Sequence, residues 1–220
     1  MSWRRLLSEL RLPLRHPEWF VLSLVYSAIL HGASLRADLF DVGDPFWILT
    51  AGVVILLSPI YHAMLLPGMI ARRCGAGEIT RETRSPVEST LSRLIVGELM
   101  VNGLVIAGAL VFLLPGIYLG VRLAFYKHEI IAQDRPTTLA IRESFGKTRE
   151  GRMALLVFGA LGVCYGAAFG IDALLLGAAT APWLIHAGSI AVSTMLLVYV
   201  NSFITALYCA RSQRQAQHGS

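Results

Sequence analysis

The sequence predicts an all-α protein, a polytopic transmembrane bundle of six spans with a short interfacial helix on the cytoplasmic side. Three observations predict it. Of 220 residues, 55% are hydrophobic and only 15% charged, whereas a soluble domain is about 45–50% apolar and about 25% charged. The apolar residues fall into runs long enough to cross a bilayer. The basic residues collect between those runs on a single side. The shortage of charge argues against a soluble enzyme, a disordered chain or a nucleic-acid module, because each needs charged surface. Mean hydropathy is +0.61. The net charge of +5 therefore poses a question of membrane side rather than of nucleic-acid binding.

A helix needs about 20 residues to cross about 30 Å of hydrocarbon. The first span covers about 18–35 and contains WFVLSLVYSAIL. The basic segment before it resembles the start of a signal peptide. The later spans and a weak cleavage context after Ala33 favour a retained helix. The second span covers 45–71. A single apolar run then extends from Ile95 to Ala132, 38 residues, or about 57 Å as one helix. That is nearly two membrane thicknesses. Pro115-Gly116 lies near its middle and marks a turn, so the run divides into spans at 95–114 and 116–132. Each is slightly short, and the fourth reads as short or re-entrant. The fifth span covers 153–178 and the last 183–210. No linker divides the chain, so residues 1–220 form one integral membrane domain.

The basic residues test this division independently. With six spans and a cytoplasmic N-terminus, 17 of the 19 Lys and Arg lie on the cytoplasmic side, counting Lys127 at the inner end of the fourth span, as the positive-inside rule requires. Five spans would put the central basic loop outside. Both termini are therefore expected in the cytoplasm. Arg36 alone falls outside, near Asp38, Asp41 and Asp44, and Arg122 falls within a span. Trp19, Trp47 and Trp183 stand near span ends, where interfacial aromatics anchor helices. Cys74, Cys164 and Cys209 are widely spaced with no CxxC. They predict neither a disulfide framework nor a zinc site.

Ionisable residues within spans are the first functional candidates, because hydrocarbon makes them costly. These are His31, Arg122, Asp172 and His186 toward the outer half, and His62 and Glu98 toward the inner half. Arg122 needs a partner, and Asp172 is the one expected at similar depth. The pair reads first as a structural tie and second as a proton or anion site. Gly162, Gly166 and Gly170 recur at steps of four, as do Gly116 and Gly120. Small residues at this spacing predict helix-packing seams. Between the fourth and fifth spans, residues 134–151 predict a short interfacial helix. Its Leu139, Ile141 and Phe145 would enter lipid, with Arg142, Lys147, Arg149 and Arg152 at head groups. Gly146-Lys147-Thr148 lacks the glycine and strand of a phosphate loop, and His128-Glu129 lacks the second histidine of a metalloprotease helix. No metal site, cofactor or catalytic residue is expected.

The stretch from Leu113 to Arg152 carries a resemblance. Pro115, Gly116, Ile117, Tyr118, Leu119 and Arg122, followed by Ala140, Arg142, Ser144, Thr148, Arg149 and Gly151, are similar to the central signature of bacterial YciC-like proteins. These are also called glycerophosphoryl-diester-phosphodiesterase membrane-domain-like proteins, and they have six spans and no assigned function. The resemblance covers about 40 residues closely and departs from the family at Tyr126-Lys127-His128. A phosphodiesterase barrel of about 250 residues has no room in 220, so the resemblance implies a membrane scaffold rather than a hydrolase. The expected function is a noncatalytic, lipid-associated envelope scaffold or accessory subunit in the bacterial inner membrane. Its partners would be membrane lipids, and a membrane-protein partner or a second copy. The rival is a small transporter using Arg122 and Asp172. A lipid enzyme within the membrane ranks third.

Overall fold

The computed structural model describes residues 12–37, 45–74, 87–178 and 182–218. The described residues are almost entirely helical and contain no strand. A short 3-10 turn at Pro13–Arg15 precedes α1 (Pro17–Ala37) and α2 (Pro45–Cys74). Then come α3 (Val87–Val111), α4 (Leu113–Arg122), α5 (Tyr126–Gln133) and α6 (Thr137–Lys147). Two long helices close the chain, α7 (Gly151–Ala178) and α8 (Pro182–His218). Among the described residues, two helices are long and apolar enough to cross a membrane, over Glu88–Val111 and Leu184–Gln213.

The chain divides into two compact units. One comprises Met1–Tyr61 and Ala160–Ser202, the other His62–Gly159 and Phe203–Ser220. The boundaries fall inside α2, α7 and α8 rather than at linkers, which is why composition alone shows a single domain. In the first unit, Ser23 and Tyr61 share a hydrogen bond of 2.8 Å, and Tyr26 stacks on Tyr61 at 4.3 Å. Phe20 meets Tyr199 edge-on. Aromatic pairs of this kind fix helix register as well as burying area.

The second unit is built on a tight hairpin. The sequence predicts its turn at Pro115-Gly116, but helix α3 ends earlier. Phe112 alone leaves helical geometry, with φ −158° and ψ 148°. Pro115 falls in the first turn of α4, where its missing N–H would have no intrahelical partner anyway. Gly116 then lies directly against α3. The two arms stay in register over their whole length. Gly108 approaches Gly116, Gly97 approaches Tyr126 and Ile130, and Arg93 reaches Asp134 at 2.7 Å. A three-residue turn at 123–125 separates α4 from α5. Leu94, Val101, Leu123, Tyr126, Ile130 and Ala140 form the core between the arms and α6.

Asp134 reverses the chain from α5 into α6. Its φ of 49° is left-handed, a conformation that Asp tolerates better than most residues. Its carboxylate and carbonyl both accept hydrogen bonds from Arg93. Thr137 Oγ1 donates to the Arg93 carbonyl at 2.9 Å, so α6 starts beside the base of α3.

The cysteine expectation needs correction. Cys74 and Cys209 form a disulfide, their Cα atoms 5.2 Å apart and 135 residues apart in sequence. Spacing could not show this, because the pair is made by helices from opposite ends of the chain. Cys164 is free. The expected result is one alkylated thiol, Cys164, without reductant and all three cysteines alkylated after reduction, with a faster-running band on non-reducing gels. Cys74→Ser should abolish that shift; a shift that survives it would place the cross-link elsewhere.

Candidate functional site

The second unit gathers an unusual set of charged side chains, beginning where the apolar run is interrupted by Tyr126-Lys127-His128-Glu129. These four divide between two sets of neighbours. Tyr126 donates its hydroxyl proton to Glu98, and Lys127 donates to the same carboxylate at 3.0 Å. Lys127 Nζ also lies 3.3 Å from His62 Nδ1. Glu98 is buried. One carboxylate, one ammonium, one phenol and one imidazole thus form a neutral cluster joining α2, α3 and α5.

His128 and Glu129 meet the second set. His128 Nε2 and Thr205 Oγ1 are 3.0 Å apart, and the imidazole stacks on Tyr208 at 5.1 Å. Glu129 is fully buried. Lys147 Nζ lies 2.5 Å from one of its oxygens and Arg135 Nε 3.4 Å from the other. Neither contact has good hydrogen-bond alignment, so charge rather than hydrogen bonding holds this carboxylate. The Lys147 ammonium also sits 4.4 Å over the Tyr208 ring and donates to Ser212 at 3.0 Å. Arg211 pairs with Glu150 nearby. A charged seam therefore ties α5, α6 and α8 together.

Arg122 ends α4 and forms a third junction. Its guanidinium donates to the Thr148 carbonyl at 2.8 Å and lies over the rings of Tyr118 and Phe145. In return the Arg122 carbonyl accepts from Ser144 at 2.9 Å and Thr148 at 3.0 Å. Ser144 Oγ also accepts the Phe125 N–H. These bonds satisfy backbone groups that the end of α4 would otherwise leave open. Arg122, Ser144 and Thr148 form one lock.

The sequence candidates thus separate. Glu98 and His62 come together through Lys127. The partners given to Arg122 are a carbonyl and two rings, where the sequence suggested Asp172. The Asp172 side chain lies outside the described residues. His31 and His186 are half-buried on α1 and α8. Of the four head-group candidates, Arg142, Arg149 and Arg152 are exposed, whereas Lys147 is buried. Ile141 and Phe145 pack on the core rather than facing outward, and Leu139 remains exposed. Of the glycines, Gly116 makes a close helix contact. A Cβ at Gly120, Gly162, Gly166 or Gly170 would meet nothing within 4 Å among the described residues. The close approaches not foreseen are Gly97 and Gly108.

Sequence reading missed Lys127, His128, Glu129, Arg135, Thr205 and Tyr208. A signal was present in the run of four polar residues within an apolar stretch. Among the described residues, no three His, Cys, Asp or Glu side chains gather as a metal site. The chain matches no protein-family model, no curated protein and no solved structure.

Replacing Arg122 tests the third junction. Arg122→Leu removes a charge-assisted hydrogen bond, a class of contact contributing about 1.5–3 kcal/mol. Unfolding in detergent should shift by that amount. Arg122→Lys should recover little, since it loses the planar stacking on Tyr118 and Phe145. Full recovery by lysine would reduce the site to a point charge.

Proposed function

We propose that this protein is a noncatalytic integral membrane protein, a lipid-associated scaffold or accessory subunit of the bacterial inner membrane. It has six apolar membrane segments, with both termini cytoplasmic. The placement of 17 of 19 basic residues supports that orientation. The YciC-like resemblance belongs to the same proposal. Helices α1, α2 and α7, with 21, 30 and 28 residues, have the length for three of the segments.

One observation carries the reading of scaffold over enzyme or carrier. The charges of buried Glu98, Glu129 and Lys147 and of half-buried Lys127 are engaged with one another across helices. Paired in this way they join elements and offer no open carboxylate to a substrate. Exposed Arg142, Arg149 and Arg152 would meet anionic head groups, each contributing about 1 kcal/mol near the surface.

A second reading, a small transporter, is favoured by the Glu98–Lys127–His62 cluster, three titratable groups in contact. The two readings separate on purification from native membrane in polymer discs. A scaffold is expected to bring a constant protein partner or an enriched anionic lipid, found by protein and lipid mass spectrometry. It is also expected to leave a proton gradient intact in reconstituted vesicles. A protein that arrives with neither and dissipates the gradient, with Glu98→Gln blocking the leak, is a transporter.

A further inference from the structure

We propose that the α3–α4 hairpin does not cross the bilayer but enters it from the cytoplasmic side, turns near the midplane and returns. The inference rests on the membrane reading above and deepens it. Its lipid partner is the acyl-chain core, reached by the hairpin tip.

The tip itself is the first observation. Leu110, Val111, Phe112, Leu113 and Leu114 are consecutive, and each is 68–83% exposed. A turn that emerges into water is ordinarily built from polar residues, Gly or Pro. This one has five large apolar side chains around its only non-helical residue. Residues 103–121 contain no charged side chain at all.

Length supplies the second. Helix α4 has 10 residues, about 15 Å, half of a hydrocarbon core of about 30 Å. Its far end is marked by Arg122, bonded to the carbonyl of Thr148. Beside Thr148 stand Arg149, Glu150 and Arg152, all exposed. Those charges locate water and head groups at the Arg122 end. On the other arm Asn102 is the first exposed polar side chain back from the tip. Tyr118 lies one turn inside Arg122, where interfacial Tyr is favoured. Helix α3 is long enough to span by itself, but its N-terminal part is occupied by Arg93 and Glu98, tied to Asp134 and Lys127. Only about half of it is left for lipid.

The third observation concerns backbone polarity. A turn in hydrocarbon leaves helix-end groups without water, at a cost of several kcal/mol each. This turn lowers that number slightly. Only Phe112 departs from helix, and its N–H donates to the Gly108 carbonyl at 3.1 Å. Pro115 has no N–H to strand. In water neither economy would matter. With the hairpin re-entrant, α2 and α7 begin or end on the same side as before, so the positive-inside pattern is unchanged.

The test uses the full chain reconstituted in phosphatidylcholine–phosphatidylglycerol vesicles. Phe112→Trp is compared with wild type, using phospholipids brominated at different depths. The added emission is expected to be quenched most by bromines near the acyl-chain ends. Phe112→Cys, with wild type as background, is expected to resist an impermeant maleimide from either side until the protein is denatured. Labelling from the face opposite the termini would show a full crossing and overturn the inference. So would an absence of quenching at every depth, which would mean that protein covers the tip. If the wild-type chain fails to insert, extracted from the vesicles by carbonate, the membrane reading itself fails.

Discussion

Glu129→Leu is expected to destabilise the protein by about 3–5 kcal/mol, the usual result of removing one partner of a buried ion pair. The reason lies in what the substitution leaves behind. Lys147 is buried and would keep an ammonium in a low-dielectric site beside the Tyr208 ring. A cation–π contact contributes about 0.5–2 kcal/mol, too little to offset the desolvation of a full charge. Arg135 suffers less, because it is partly exposed and retains Glu143 at 3.2 Å. Replacing both charges, Glu129→Leu with Lys147→Met, should recover most of the loss or exceed wild type, since apolar replacements of buried pairs are often neutral or stabilising. Denaturant unfolding in detergent micelles measures all three variants. A single Glu129→Leu change within about 0.5 kcal/mol of wild type would show that the carboxylate is not ionised or not paired as described.

That pair also shows where sequence reading succeeds and where it stops. The apolar run from Ile95 to Ala132 was legible as two antiparallel arms, because its length exceeds one membrane thickness and it contains a Pro-Gly pair. The Pro115-Gly116 pair points to a turn about three residues later than the break at Phe112. Structurally it stands in the first turn of the returning helix. Helix α6 was legible as a helix, but its buried face was misassigned. The buried positions are Thr137, Ala140, Ser144 and Lys147, at steps of three and four that define one helical face. Their side chains are polar, small or charged, so a hydropathy pattern assigns that face to water. The polar face turned inward because Arg122, Arg93 and Glu129 offer it partners from elsewhere in the chain. Those partners are 18 to 44 residues distant, beyond any local spacing rule. The Cys74–Cys209 disulfide, 135 residues apart, is beyond spacing rules for the same reason.

Gly116→Ala is expected to lower stability by about 1–3 kcal/mol, the usual range for an overpacked site, even though alanine favours helix over glycine by about 1 kcal/mol. A Cβ at Gly116 would stand 2.8 Å from Ala109 N and Cβ and 2.9 Å from its Cα. Backbone atoms cannot rotate away, so the arms must separate. Gly116→Leu should do more, opening the hairpin and exposing the Leu123 and Tyr126 core to protease. Gly120→Ala, one turn further along α4, is the control. No described atom lies within 4 Å of its added Cβ, so the propensity gain should appear as a rise of about 1 kcal/mol. Opposite signs for two glycines four residues apart would show that close helix approach, and not small-residue spacing, selects glycine in α4. Equal signs would remove Gly116 from the contact. Limited proteolysis with thermal unfolding in the same detergent distinguishes the outcomes. A hairpin turning within lipid makes the argument stricter. Its arms have no hydrophobic drive to associate there, so the close fit at Gly116 must supply the attraction that water supplies in a soluble hairpin.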